Sequence, residues 1–192
     1  DAGLGGRYTE APMDALTRIA NLLYEVGTTR KLPRMHRQPL LTDDTSDTIA
    51  SHSYRVALIA WHLAKIEKAD PYKPVMMALL HDIAEARTGD HNWIHKRYVK
   101  IFESEITKEQ LGTLPFDELE TLVTEYEKRK SKEAIVTKQA DILDQILLLR
   151  EYEWQGNKEA RLWLYGEGTN KGRCQLDKLT LWWEQLWTSK NR

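Results

Sequence analysis

Apolar residues along this chain recur at three- and four-residue intervals, in runs separated by polar clusters that carry proline or glycine. Ala15, Leu16, Ile19, Leu22, Leu23 and Val26 form the first stripe, with Asp14 placed to cap a helix and Gly27 to end it. Residues 28–47, "TTRKLPRMHRQPLLTDDTSD", hold Pro33, Pro39 and clustered Thr, Asp and Ser, and read as a long ordered loop of the functional kind. A second helix is predicted over about 48–68 and, after the "ADPYKP" break, a third over "VMMALLHDIAEAR". Further helices are expected at about 93–105, 115–130 and 132–155, then a short one within 156–173 and a last one in "LDKLTLWWEQLW". Period-two alternation and internal repeats are not found. The pattern predicts an all-α, single-domain multi-helix bundle.

Residues 1–13 are mostly small or polar and read as a flexible leader or an artificial remnant, leaving 14–192 as the domain. The Trp-rich segment at about 176–188 carries Leu181, Trp182, Trp183, Leu186 and Trp187. It is expected to pack on that domain or on a partner, which favours a homodimer.

Composition narrows the functions. With 28 basic and 29 acidic residues the net charge is −1, so no whole-protein field gathers nucleic acid or an anionic membrane. An anionic ligand must be met by a local cluster. Cys174 is the only cysteine, which excludes an internal disulfide and argues against a cysteine-based zinc site. Without an apolar run of transmembrane length or a signal-peptide pattern, a cytoplasmic location is expected.

The candidate chemistry lies where apolar helical faces end in polar residues. His52 shares a stripe with Val56, Ile59 and Leu63, and the run Val75 to Leu80 leads directly into His81–Asp82, with Glu85 four residues after His81. Asp141 shares a face with Gln145, Leu148 and Tyr152 on the long helix. Taken singly, each has a plain structural alternative. His52 can be a hydrogen-bonded core histidine, Asp82 can orient His81, Asp141 can pair with Arg55 or Lys138, and Glu85 can be a solvated helix residue. Taken together, two imidazoles and two carboxylates make a mixed N/O set suited to a divalent first-row metal with open positions.

The order H…HD…D, with Glu85 three residues after the HD pair and "TGD" shortly beyond, resembles the HD-domain metal-dependent phosphohydrolases. The similarity is greatest to the branch of the bacterial 5′-deoxynucleotidases. It runs from about Leu16 to about Tyr152 and is carried by "LYEVGTTRKLPR", "TIASHSYRVALIAWHLA", "MALLHDIAEARTGD" and "VTKQADILDQI". The resemblance implies an HD-type fold in which His52, His81, Asp82 and Asp141 ligate one divalent ion, drawn from Mn, Co, Ni, Fe, Zn or Mg. It places Glu85 at the attacking water, Asp90 at the substrate border, and Arg37, fifteen residues before His52, at the phosphate. Two positions depart from the branch. Ser51 stands where it commonly has glutamate, and Gln38 stands where it has tryptophan, so strict selectivity for 2′-deoxyribose is not expected. After "TGD", His91, His95, Lys96 and Arg97 offer either phosphate contacts, chiefly from Lys96 or Arg97, or a second metal site. His36 and Lys138 are weaker candidates of the same sort.

The resulting expectation is a metal-dependent phosphohydrolase acting on a small nucleotide, a nucleoside 5′-monophosphate first. The alternatives are a hydrolase of phosphoanhydrides, meaning nucleoside triphosphates or a guanosine alarmone, and a helical binding module with a structural metal. Neither a nucleic-acid polymer nor a membrane is expected as partner.

Overall fold

The structure is a computed structural model and describes residues 14–165; the leader and the Trp-rich segment of the sequence reading lie outside that range. Eight α-helices follow in chain order among the described residues. They are α1 (Ala15–Gly27), α2 (Ile49–Glu67), α3 (Tyr72–Leu80), α4 (Glu85–Thr88), α5 (Glu103–Leu111), α6 (Glu118–Lys128), α7 (Lys132–Trp154) and α8 (Lys158–Tyr165). Short 3₁₀ turns at Thr28–Lys31, Met35–Arg37 and His95–Arg97 wind the loops between them. No strand occurs among the described residues; a single bridge joins Pro33 to Thr48. The chain is all-α, as its periodicity predicts.

Helices α2, α3 and α7 form the centre, because each presents an apolar stripe to the other two. Val56, Ile59, Leu63, Leu143, Ile146 and Leu149 are buried together there. A second apolar cluster of Leu80, Ile83, Leu111 and Val123, joined by Leu22 and Val26, fastens α1, α5 and α6 to the side of this core. The helix starts are written locally. Asp14 Oδ1 accepts from Thr17 N at 2.8 Å, Ser131 Oγ from Ala134 N at 3.2 Å, and Thr48 and Ser51 form a reciprocal capping box at α2. Ser51, the departure noted above, is thus exposed and occupied with the cap.

Two predicted helices differ. The third does not run unbroken to Arg87: α3 stops at Leu80, and the chain turns through residues 81–84 before α4. His81 Nδ1 donates to Ala78 O at 2.7 Å, and i→i+3 bonds from Ile83 N to Leu80 O and Glu85 N to Asp82 O tighten the winding. The expected helix at 93–105 is only the turn His95–Arg97, followed by α5 from Glu103. Asn92 accounts for that turn, since its Oδ1 accepts from both Ile94 N and His95 N at 3.0 Å.

Candidate metal centre

The break after Leu80 sets the site. In the tight turn that replaces an α-helical continuation, Asp82 and Glu85 are three residues apart and nearly eclipsed. Both line a cleft of about 1670 Å³, together with His81. Helix α2 brings His52 to this place at the end of its buried stripe, and α7 brings Asp141.

His52 Nε2 lies 3.2 Å from His81 Nε2, 3.3 Å from Asp141 Oδ1 and 3.6 Å from Asp82 Oδ2. His81 Nε2 lies 3.1 Å from the same Asp82 oxygen. Each imidazole is anchored from behind, His52 by Nδ1 to Asp144 Oδ2 at 2.6 Å and His81 by Nδ1 to the Ala78 carbonyl. Both Nδ1 protons being used outward, the two Nε2 lone pairs face one another. Such a contact is satisfied by a shared cation, whether a proton on His52 or a metal ion, and anchoring of this kind is the usual support of metal-bound histidine. With metal–nitrogen bonds of about 2.0–2.1 Å, the observed separation corresponds to an angle of about 100° at a single ion. His52, His81 and Asp141 each offer a ligand atom within 4.8 Å of the others, so this group can hold a metal ion.

The charges support one another. Burial opposes ionisation of Asp141, yet His52, Lys138 and His81 hold it well below the usual carboxylate range. Asp82 is likewise held low against its burial by His81, His52 and Arg34. Burial and Arg34 work against a proton on His52, but the hydrogen bonds to Asp141 and Asp144 prevail and push it up to about 9. Glu85 behaves in the opposite way: burial, then the charges of Asp82 and Asp90, push it up to about 9. Its Oε2 is buried without a hydrogen bond.

Arg34 is the cation of the cleft that the sequence reading misses. It is buried in the loop before α2, with Nη1 3.9 Å from Asp82 Oδ2 and Nη2 3.0 Å from His36 Nε2. Nε and Nη1 have no hydrogen bond. His36 lines the cleft edge-on to Trp163 and is pushed down to about 4 by burial and Arg34. Asp90 accepts from Met35 N at 2.5 Å and so ties this loop to the "TGD" turn. Lys96, His91 and Lys138 also line the cleft, with Lys138 Nζ 2.6 Å from Asp141 Oδ2.

Three expected substrate contacts stand elsewhere. Arg37 does not line the cleft; the 3₁₀ turn carries it away from Arg34 and His36, and its charge acts on Asp44. Gln38 is exposed and accepts from Asn92 Nδ2 at 3.1 Å. Arg97 lies over the Trp93 ring, 4.8 Å from its centroid, outside the cleft. His91 and His95 meet ring edge to ring face at 5.7 Å and join no third metal-ligating side chain among the described residues. Arg55, offered as a partner of Asp141, pairs with Asp144 and Glu151 instead.

The HD domain family model matches residues 29–174, most of the chain and the whole of this site. The chain belongs to the HD domain family. Among its HD-domain relatives, the 5′-deoxynucleotidase HDDC2 of Bos taurus is 34% identical over 75% of this chain and 72% of its own length. HDDC2 of Mus musculus, also named a 5′-deoxynucleotidase, is 31% identical over 75% and 74%. A conserved hypothetical protein from Pyrococcus furiosus shares the fold with a TM-score of 0.71 and 28% identity, over 87% of this chain and 98% of that one.

Proposed function

We propose that this HD-domain protein is a metal-dependent phosphohydrolase that removes phosphate from nucleoside 5′-monophosphates. The observation that carries the reading is the pair of back-anchored imidazoles with Nε2 atoms 3.2 Å apart, flanked by Asp82 and Asp141 and bordered by the buried, under-bonded Arg34. The relatives named 5′-deoxynucleotidases supply the substrate class.

His52, His81, Asp82 and Asp141 would hold one divalent ion, which when bound supplies Lewis acidity toward a phosphoryl oxygen and a more acidic water. Arg34, always protonated, faces the cleft beside Asp82 and neutralises charge on the phosphoryl oxygens as the transition state forms. Its Nε and Nη1 are the donors for that contact. Glu85 lines the cleft with Oε2 buried and free of hydrogen bonds, placed to orient the attacking water and, once ionised, to accept its proton. Asp90 holds the Arg34 loop in register through Met35 N. Lys138 restrains Asp141.

Metal-loaded protein is incubated with ribo- and deoxyribonucleoside monophosphates, and released phosphate is measured. Phosphate release that requires Mn, Co, Ni or Mg and is lost in His81→Ala and Asp82→Ala supports the reading. If no phosphomonoester is turned over with any of these metals, the reading fails. The ribose and deoxyribose arms then decide sugar preference.

A further inference from the structure

The mechanism above uses the end of the cleft at His81 and leaves a second cation on its wall unassigned. Arg129 follows α6 and adopts φ 52°, in the left-handed region that few non-glycine residues occupy. Its guanidinium carbon sits 3.3 Å from the centroid of the buried Tyr126 ring, and the edge-to-face partner of that ring is His81, at 5.7 Å. Arg129 is therefore two side-chain contacts from the candidate metal ligands and lines the same cleft. Its Nη1 is buried without a hydrogen bond, and the carboxylate that reaches it, Glu127 Oε1, stands 3.8 Å from Nη2, beyond hydrogen-bonding range. Lys100 and Lys128 line the cleft as well.

A helix could end here on glycine without strain, whereas Arg129, a third of whose side chain is exposed and which also meets Tyr126, keeps its Nη1 buried without a partner. Both features have a purpose if the guanidinium is held flat on Tyr126 for a ligand. A permanently charged, planar, under-bonded donor selects an anion over a neutral base edge.

We propose that Arg129 is a specificity-determining residue that binds a second phosphate group, so that the preferred substrate is a nucleotide carrying one phosphate to be cleaved and another to be held. This rests on the phosphohydrolase reading for turnover but not for binding. With the 3′,5′-bisphosphate, water's oxygen joins the cleaved phosphoryl group, the ester oxygen leaves as a hydroxyl and the phosphate held by Arg129 stays on the nucleoside. With the 5′-diphosphate, the same attack at the α-phosphoryl group releases adenosine and pyrophosphate, whose β-phosphate is the one held.

The test compares adenosine 5′-monophosphate, adenosine 3′,5′-bisphosphate and adenosine 5′-diphosphate with the metal-loaded wild type, Arg129→Gln and Arg129→Gly. The wild type should favour one of the two doubly phosphorylated compounds by roughly ten- to a hundredfold in kcat/KM, the range one charge-assisted contact supplies. Which of the two is preferred distinguishes a 3′-phosphate from a β-phosphate. Both variants should lose the preference through KM while monophosphate turnover stays within about twofold. Arg129→Gly should unfold at the same or a higher temperature, since glycine adopts φ 52° freely. Equal treatment of all three nucleotides by the wild type, or loss of monophosphate activity in a folded Arg129→Gly, overturns the proposal. If no phosphoester is cleaved, pyrophosphate binding is measured by calorimetry. Weaker binding to Arg129→Gly sustains the anion site while the phosphohydrolase reading falls, and unchanged binding overturns the site as well.

Discussion

Asp144 grips His52 from behind, its Oδ2 2.6 Å from Nδ1, and the same buried carboxylate receives the Nε of Arg55. The imidazole is thereby fixed in orientation, with Nε2 turned toward His81. Arg55 goes on to Glu151 at 2.9 Å, so a chain of alternating charges runs from the surface of α7 to the candidate metal ligands. Burial opposes the charge on Asp144, but His52 and Arg55 hold its carboxyl below the ordinary range.

Replacing Asp144 by asparagine keeps the size and removes the charge. Mn²⁺ affinity measured by calorimetry should fall about 10–100-fold, the usual effect of losing a group that orients a metal-bound histidine. Asp144→Ala should in addition lower stability by about 2–3 kcal/mol. That is less than a fully buried pair would lose, because the Arg55 side chain is 32% exposed and can rehydrate. Wild-type metal affinity in the asparagine variant would show that His52 needs no such support.

Metal should stabilise the fold. A divalent ion at about 100 times its Kd adds about 2.7 kcal/mol, which for a chain of this size raises Tm by about 5–10 °C. Thermal unfolding with and without Mn²⁺, then after chelation, measures this. The gain should vanish in His81→Ala, whose Tm should not depend on the metal. A wild type whose Tm ignores every divalent ion would mean that the four side chains converge for another reason.

The helical plan and the placing of His52 and Asp141 are legible because both ride on periodic elements, where spacing gives direction, while His81 and Asp82, in the turn past α3, are legible only from the apolar run that leads into them. Asp144 was legible in principle, lying three residues after Asp141 and on a neighbouring part of the same helical face, but an aspartate on a long helix is ordinarily solvated. Arg34 and Arg37 show where reading stops. They are three residues apart in an aperiodic loop, and which one turns inward depends on a 3₁₀ turn and on Asp90 accepting from Met35 N, a contact 55 residues distant in sequence. The end of α3 at Leu80 was hidden for a similar reason. Local propensity there favours helix, and the His81 side chain takes the Ala78 carbonyl instead.

Arg34 and Arg37 can be told apart by kinetics. Arg34→Lys keeps a charge but loses the planar, multi-donor head, and kcat/KM should fall by about a hundredfold or more, as for loss of one preorganised oxyanion donor. Arg37→Ala should stay within about threefold, since Arg37 does not line the cleft. The reverse ranking in a phosphate-release assay would return the phosphate contact to Arg37.

The short helix α4 that begins at Glu85 is held in place by charge. Arg87 donates Nε to Glu25 Oε1 and Nη1 to Glu109 Oε2, both at 2.6 Å, and Gln110 Nε2 reaches Glu25 Oε1 at 2.6 Å, joining α1, α4 and α5. Arg87, ahead of the opposing burial and of Gln110, holds the Glu25 carboxyl below its ordinary range. A carboxyl that gives up its proton more readily when folded stabilises the fold above its unfolded pKa, and this contribution disappears as pH falls through the lowered folded value. Glu25→Gln should therefore be less stable than the wild type at pH 7, by no more than about 1 kcal/mol for such a partly exposed pair. The gap in Tm should close in acid, once Glu25 of the wild type is protonated too. Thermal unfolding of both proteins between pH 7 and pH 3 measures it, and a gap that persists unchanged at the acid end would place the effect in packing rather than in the charge of Glu25.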